Sequence, residues 1–374
     1  MLGDVLCLSH LRWGFVYQRP NHLMSRWARD RRVFFFEEPI FDAGASPWLA
    51  TTEVLPNLRV AVPHLPTASR GEVISMQREL LDDLVAAHGV RAPLLWFYTP
   101  MALGFAGHTP AAVVVYDCMD ELSAFHGAPP ELRLQERRLF AEADLVFTGG
   151  QALYEAKRAH HGSVHAFPSS VDAGHFGAAR LPGFREPDDQ RAIPRPRLGF
   201  FGVIDERMDR DLLAMLADAR PEWHVVLLGP IVKIDPGSLP RRPNIHYLGP
   251  KRYDELPRYI AGWDVALMPF ALNEATRFIS PTKTLEYLAA GTPVVSTPIR
   301  DVVRPYGERG LVRVGSGRSF VDQVAEALRE RGTAAAAARQ RAAHEWVAST
   351  SWDRTWDGMR ALVFDAAARR ASVA

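Results

Sequence analysis

Short apolar runs and segments with helical spacing alternate along almost the whole chain. In the first half, apolar runs predict strands at residues 4–9, 32–36, 94–98, 112–116 and 145–148. A helix is predicted to open at Pro20, and apolar residues at helical spacing predict another over residues 69–88. Apolar strands separated by helices indicate a parallel sheet that is covered on both faces.

The alternation stops at residues 172–196, where four prolines lie among charged residues, and it resumes at residue 197. The proline-rich stretch predicts a linker between two domains, which is also what the chain length favours. We therefore predict an α/β protein with two doubly wound, Rossmann-like domains facing a cleft, at residues 1–171 and 197–350. A last helix, at residues 351–374, can cross back to the first domain.

Charge and cysteine content exclude several classes of protein. Forty-four basic residues face forty-three acidic ones, which argues against a nucleic-acid partner bound through bulk phosphate attraction. The two cysteines lie in apolar runs and have no ligand cluster beside them, so neither a disulfide nor a metal site is expected. No apolar stretch reaches the roughly 18 residues of a spanning helix, and no signal peptide is evident. We expect a cytoplasmic protein.

The segment from residue 270 to residue 297 carries the most specific chemistry. A polar loop leads into a predicted helix, which Gly291 ends. The start of a helix favours a phosphate group, and Lys283 adds a full positive charge there. Glu286 follows on the same face and can accept the two hydroxyls of a ribose. A capped helix with a Lys–Glu surface pair explains the same residues without a ligand.

This segment resembles the donor-binding signature of the GT-B glycosyltransferases, especially the large retaining group called family 4. It is most similar to a bacterial subgroup of teichuronic-acid and other surface-polysaccharide transferases. The resemblance implies that Glu286 binds the nucleotide ribose and that the residues before it contact the diphosphate. The positions that carry it are Ser280, Pro281, Thr282, Lys283 and the run from Glu286 to Gly291.

One position departs from the family pattern. The wider family has a second glutamate near the donor hexose, and Phe278 stands eight positions before Glu286. Glu274 lies nearby but out of register, and whether it takes over the role of the missing glutamate is open. The departure bears on the identity of the donor sugar and on the retaining outcome.

Further donor contacts are expected around the first strand of the second domain. Gly202 lets a ligand approach the backbone, and Arg207 can clamp a phosphate group with two hydrogen bonds. Lys233 is a candidate for another charge contact, and the resemblance places the loop of Lys251 against the base. A tight turn at Gly202 and a solvated Arg207 are the alternative interpretation.

The first domain is expected to supply the acceptor side. The resemblance places Gly14, in the loop after the first strand, towards the donor phosphates. Asp117 and Asp120 follow a buried strand and are candidates for positioning the acceptor or handling its proton, although Asp120 can also cap a helix. His10 is a candidate for binding a sugar hydroxyl.

The predicted function is transfer of a hexose from a UDP- or GDP-linked sugar to a glycan, lipid-linked or small-glycoside acceptor. We expect retention of configuration, no metal and no other cofactor. A nucleotide-sugar epimerase and a non-catalytic sugar-nucleotide binder are the alternatives. A dinucleotide-dependent oxidoreductase is disfavoured because no G-x-G-x-x-G motif follows either leading strand. Four arginines lie between residues 26 and 32. They indicate either a peripheral contact with the inner membrane face or a solvated helix end.

Overall fold

The computed structural model describes residues 2–373, and the outer ends of the predicted domains, residues 1 and 374, lie outside that range. The chain forms two compact units. The first comprises residues 2–168 together with 353–373, and the second comprises residues 169–352.

The first unit is built on an eight-stranded sheet with the order β3-β4-β2-β1-β5-β6-β7-β8. All neighbouring strands are parallel except β3, which runs antiparallel to β4. The strands are β1 Val5–Leu8, β2 Val33–Phe36, β3 Trp48–Leu55, β4 Leu58–His64, β5 Leu94–Phe97, β6 Val113–Cys118, β7 Leu145–Thr148 and β8 Val164–Ala166.

Helices connect the parallel strands of this sheet. The α2 helix begins with a capping box, in which the amide of Ser69 donates to the Glu72 carboxylate at 2.8 Å. The helices are α1 Arg19–Trp27, α2 Arg70–Ala87, α3 Leu103–Ala106, α4 Leu132–Glu142 and α5 Gln151–Lys157. The predicted strands and helices of this half therefore form, with ends shifted by one or two residues.

The β3–β4 hairpin was not expected from the sequence. β3 is an edge strand that is exposed along most of its length, so it lacks the apolar run that identifies the buried strands. It covers one edge of the parallel sheet and places Trp48 opposite His64, at the end of β4 where the parallel strands β1 and β2 also end.

The second unit contains a six-stranded, wholly parallel sheet with the order β11-β10-β9-β12-β13-β14. Its strands are buried except at the edges, as the continuous apolar runs predict. They are β9 Arg197–Phe201, β10 His224–Leu228, β11 Ile245–Gly249, β12 Val265–Met268, β13 Val294–Ser296 and β14 Arg313–Val314.

Residues 172–196, expected to be a linker, lie within the second unit and contain two short helices. The buried amide of Gln190 joins this stretch to the core, since it accepts from the Trp263 indole at 2.8 Å and donates to the Tyr259 carbonyl at 2.9 Å. The helices of the unit are α6 Ala173–Gly177, α7 Asp188–Arg191, α8 Arg210–Ala219, α9 Leu256–Ile260, α10 Lys283–Ala289, α11 Arg300–Val302, α12 Gly317–Arg329 and α13 Ala334–Ala348.

The last helix, α14 (Trp352–Val373), returns to the first unit. Trp356 packs edge-to-face on Trp27 of α1, with the ring centroids 5.6 Å apart, and both Met359 and Val363 are fully buried. Within residues 2–373 no helix is both long enough and apolar enough to span a membrane.

Candidate functional site

Glu286 is the most unusual ionisable group in the second unit. It lies in the first turn of α10, only 7 % of its surface is exposed, and its Oε2 atom has no hydrogen-bond partner among the described residues. Burial raises its pKa to about 7, against the lowering effect of the nearby Lys283. A buried carboxylate oxygen without a donor is costly, and hydroxyl groups of a ligand would satisfy it.

Lys283 lies against the end of β9. Its ammonium group is 5.6 Å from the ring centroid of Phe200 and 6.0 Å from that of Phe201. A Cβ atom on Gly202 would approach Lys283 Cε to 2.2 Å and Nζ to 2.7 Å, so a side chain here would force the end of Lys283 to move. The lysine therefore holds a positive charge beside exposed backbone at the carboxyl end of the strand.

Two glycines form the backbone at this edge of the sheet. Gly202 has φ of 136° and Gly229, after the adjacent strand β10, has φ of 141°. A Cβ atom on Gly229 would lie 1.9 Å from the Gly202 carbonyl oxygen. Both positions thus require glycine, and the absence of side chains keeps the backbone open at the edge where parallel sheets bind ligands.

Tyr287 fixes α10 in place. It is fully buried, and its hydroxyl accepts a hydrogen bond of 3.1 Å from the amide of Phe201 in β9. Burial raises the pKa of this phenol well above its usual value. Since Glu286 is the preceding residue, this bond sets the position of its carboxylate relative to the strand end.

Ser280, Pro281 and Thr282 are half-buried and lead directly into α10, as the motif predicts. Phe278 is also half-buried and lies under the guanidinium group of Arg277, which is 5.1 Å from the ring centroid. The neighbouring Glu274 is 75 % exposed and lies 3.6 Å from Arg277. The structure gives Glu274 a partner but shows no ligand role for it.

Arg207 is held by the residue two positions before it. Its guanidinium group donates three hydrogen bonds to the Asp205 carboxylate, at 2.6 to 3.1 Å. Residue type and spacing alone do not predict this pairing. Arg207 lies after β9, as predicted, but a phosphate would have to compete with Asp205 for it.

The two remaining lysine candidates differ in their surroundings. Lys251 is bonded to Asp189 at 2.8 Å and lies over the ring of Tyr259, with 16 % of its side chain exposed. Asp189 already neutralises the charge of Lys251, whereas the prediction places this lysine in a loop that contacts the ligand. Lys233 lies in the exposed loop after β10, with φ of 60°.

In the first unit, Asp117 is a fully buried member of an ion pair. The Arg19 guanidinium group donates three hydrogen bonds of 2.9 to 3.1 Å to its carboxylate and one of 2.7 Å to the Phe167 carbonyl. Arg19 and Asp117 are 1 % and 0 % exposed. This geometry corrects the expectation that Asp117 meets the acceptor directly, because the carboxylate is enclosed and already paired.

The carboxylate that follows is also engaged. Glu121 binds Lys157 at 2.7 Å, and the same ammonium group binds Glu136 of α4 at 2.8 Å. Asp120, which lies between Asp117 and Glu121 in sequence, is half-buried. Three carboxylates, Asp117, Asp120 and Glu121, therefore lie at the end of β6, and Asp117 and Glu121 are held in ion pairs. Lys157 lies 36 positions from Glu121 and Arg19 lies 98 positions from Asp117, so local spacing does not predict these ion pairs.

His10 is half-buried at the end of β1, and Gly14 lies in the exposed loop that follows. A Cβ atom on Gly14 would have no neighbour within 4 Å, so nothing in the described residues requires glycine there.

The arginines of the predicted basic cluster have acidic partners. Arg26 and Arg29 bind Asp353 of α14 at 3.0 and 2.8 Å, and Arg32 binds Asp4 at 2.6 Å. These ion pairs favour the solvated helix end over a charged surface that attracts lipid.

Among residues 2–373 no group of three or more His, Cys, Asp or Glu side chains could hold a metal ion.

Comparison with known proteins bears out the resemblance. Residues 195–330 match the model of the family described as Glycosyl transferases group 1. The putative teichuronic acid biosynthesis glycosyltransferase TuaH of Bacillus subtilis strain 168 is 29% identical over 240 residues. That alignment covers 58% of this chain and 59% of TuaH, so the chain spans about three fifths of the length of the curated relative it matches.

Solved structures show the same fold. Sucrose-phosphate synthase from Thermosynechococcus elongatus gives a TM-score of 0.72 at 14% identity, over 97% of this chain and 98% of that chain. A structure described as trehalose-6-phosphate from E. coli bound with UDP-2-fluoro glucose gives 0.70 at 11% identity, over 96% and 99%. The predicted GT-B fold is confirmed.

The fold is therefore that of the GT-B glycosyltransferases. The segment that matches the group 1 model lies in the second unit, where Glu286, Lys283 and Gly202 lie.

Proposed function

We propose that this protein transfers a hexose from a nucleoside diphosphate sugar to a glycan or lipid-linked acceptor. The second unit binds the donor and the first unit binds the acceptor. The reaction needs no metal and retains configuration at the anomeric carbon, as in the family that the donor motif resembles.

The observation that carries this proposal is the pair of Lys283 and Glu286 at the carboxyl end of β9. Glu286 offers a buried carboxylate oxygen without a partner, which suits the two neighbouring hydroxyls of a ribose. Lys283 holds its ammonium group beside the open backbone of Gly202, which suits a diphosphate. One side of a helix turn thus offers the two kinds of contact that a nucleoside diphosphate needs.

The same residues would assist the reaction. The leaving nucleoside diphosphate gains negative charge as the glycosidic bond breaks, and Lys283 stabilises that charge without reorganisation because its side chain is packed in place. The fully buried Asp117 holds Arg19 in place and does not act on the acceptor itself.

The relatives favour particular substrates. The E. coli structure holds a UDP-sugar analogue, which supports uridine as the base. TuaH is described as acting in teichuronic acid biosynthesis, which supports a surface polysaccharide as the acceptor. Phe278, in place of a family glutamate, favours a donor sugar that differs from the usual one at the position this glutamate contacts.

Calorimetric titration with UDP and GDP tests the donor site. We expect one nucleotide to bind, and its affinity to fall at least about tenfold in Glu286→Ala and in Lys283→Ala. Glu308→Ala, which removes an exposed glutamate of the same unit, is the matched control.

Unchanged affinity in both site variants would refute the proposed pocket. A sugar nucleotide that binds but is never turned over would instead favour the non-catalytic binder. Turnover of the sugar nucleotide with no acceptor present would favour the epimerase. NMR of the anomeric proton in the product distinguishes retention from inversion.

A further inference from the structure

The exposed aromatic side chains of the described residues lie in two segments of the first unit. Among the described Trp, Tyr and Phe residues, only four have more than about a third of their surface exposed. They are Phe15 at 51 %, Tyr17 at 39 %, Phe41 at 55 % and Trp48 at 51 %. All four lie in the first unit, in two segments at residues 10–18 and 37–48. Exposed aromatic side chains restricted to two segments of one unit are typical of a binding surface.

The topology brings the two segments to the same edge of the sheet. Residues 10–18 follow β1, residues 37–48 follow β2, and Trp48 pairs with His64 at the end of β4. Arg12 joins the segments directly, because it donates to the Glu37 carboxylate at 3.0 Å and to the Pro39 carbonyl at 3.1 Å. We call the surface formed by Phe15, Tyr17, Phe41 and Trp48 the aromatic edge.

Trp48 is held in a fixed orientation. Its ring stacks on the His64 imidazole, with the centroids 3.9 Å apart and the planes within 9° of parallel. The imidazole in turn binds Asp42 through Nδ1 at 2.7 Å. Since one face of the indole is covered and half of the side chain is exposed, the other face is the open one. An aromatic face fixed before binding loses little entropy when a ligand stacks on it.

We propose that the aromatic edge binds neutral saccharide units of the acceptor glycan. A pyranose ring presents C–H groups from one face, which pack on an aromatic ring, and hydroxyls from its rim, which carboxylates accept. The edge lies where parallel sheets bind ligands, at the carboxyl ends of the strands. This inference rests on the proposed function, since it gives the acceptor its chemical class.

The charge of the edge favours a neutral glycan over a membrane. The two segments contain three carboxylates, Glu37, Glu38 and Asp42, against a single arginine, Arg12. That arginine is already bonded to Glu37 and to backbone carbonyls. Surfaces that bind anionic lipid combine apolar side chains with unpaired Lys and Arg, which this edge lacks among its described residues.

Saccharide binding to the full-length protein without nucleotide tests the proposal. We would titrate chitotriose, cellotriose and maltotriose by saturation-transfer NMR and calorimetry. We expect at least one trisaccharide to bind, and its affinity to fall about threefold to tenfold in Trp48→Ala and in Phe41→Ala. Trp48→Phe, which keeps a stacking ring, should restore most of the affinity. Leu134→Ala, in α4 of the same unit and 49 % exposed, is the matched control and should bind normally.

Several results would overturn the inference. These are failure of all three trisaccharides to bind, an equal loss in Leu134→Ala, or unchanged affinity in both aromatic variants. Binding of the aromatic edge to phosphatidylglycerol–phosphatidylcholine vesicles alone, or self-association that Trp48→Ala abolishes, would assign the surface to a membrane or to a second copy. The saccharide titration contains no nucleotide, so its result does not depend on the donor site. If a saccharide binds but neither UDP nor GDP does, the proposed donor site is refuted and this inference stands.

Discussion

Replacing Glu286 by glutamine tests the central feature of the donor site before any substrate is known. The change keeps the size and shape of the side chain and removes the negative charge. Glutamine and glutamate have similar helix propensities, so α10 should persist. What changes is the cost of holding a buried carboxylate in its ionised form.

The magnitude follows from the pKa. Burial raises the pKa of Glu286 from about 4.5 to about 7, and this net change already includes the favourable charge of Lys283. At about 1.4 kcal/mol per pKa unit, ionisation of this group destabilises the native state by about 3 kcal/mol. The penalty is absent below pH 4.5, where the side chain is neutral in both states. It grows between pH 4.5 and 7, because only the unfolded chain loses its proton there, and is complete above pH 7.

Urea unfolding of the wild type and Glu286→Gln at a series of pH values measures this directly. We expect the variant to be more stable by about 3 kcal/mol at pH 8, and the difference to shrink as the pH falls through 7 towards 4.5. Glu308→Gln, at an exposed glutamate of the same unit, should show no such pH-dependent gain.

Nucleotide affinity should change in the opposite direction. The ionised carboxylate accepts both ribose hydroxyls, whereas an amide oxygen offers fewer acceptor sites, so Glu286→Gln should bind more weakly at pH 8. If the variant is no more stable than the wild type at pH 8, or if the difference is the same at pH 5, Glu286 is not a buried, strained carboxylate. Its proposed role as the ribose acceptor would then be refuted.

Three further predictions concern other features of the two units. Gly202→Ala should destabilise the protein, because φ of 136° strains any side chain, and should lower nucleotide affinity about tenfold, because the new methyl group meets the end of Lys283; unaltered calorimetric affinity of the folded variant would contradict the contact. Lys251→Ala should bind nucleotide as the wild type does, and a marked loss would restore its predicted ligand role. Arg19→Ala should destabilise the protein by about 3 to 5 kcal/mol, because it leaves the Asp117 carboxylate buried and unpaired; a loss below 1 kcal/mol in urea unfolding would show that the pair is solvated.

The sequence predicts the fold well where local patterns determine structure. Continuous apolar runs identify the buried parallel strands, and the helix of the donor motif, predicted to end at Gly291, forms as α10. The β3–β4 hairpin is not predicted, because an exposed edge strand does not need apolar residues. The prolines of residues 172–196 predict a linker, although Gln190 in this stretch binds into the core.

The site is predicted less completely, because its charges depend on distant partners. The motif alone places Lys283 and Glu286 together on one helix turn. It does not reveal that Gly202 makes room for the lysine, since that contact joins positions 81 residues apart. Nor does it show that Asp117 and Lys251 are neutralised by Arg19 and Asp189. Residue type and spacing identify candidates, and only tertiary contacts tell which of them keep an available charge.

The return of α14 to the first unit has a consequence for synthesis on the ribosome. Chains grow at about 5–20 residues per second, and domains fold as units once their residues have emerged. The second unit is continuous in sequence, whereas the first lacks the cover over Trp27 until the residues around Trp356, Met359 and Val363 are made. We expect the unit that begins the chain to be the last to complete its folding, with the later-synthesised second unit already compact.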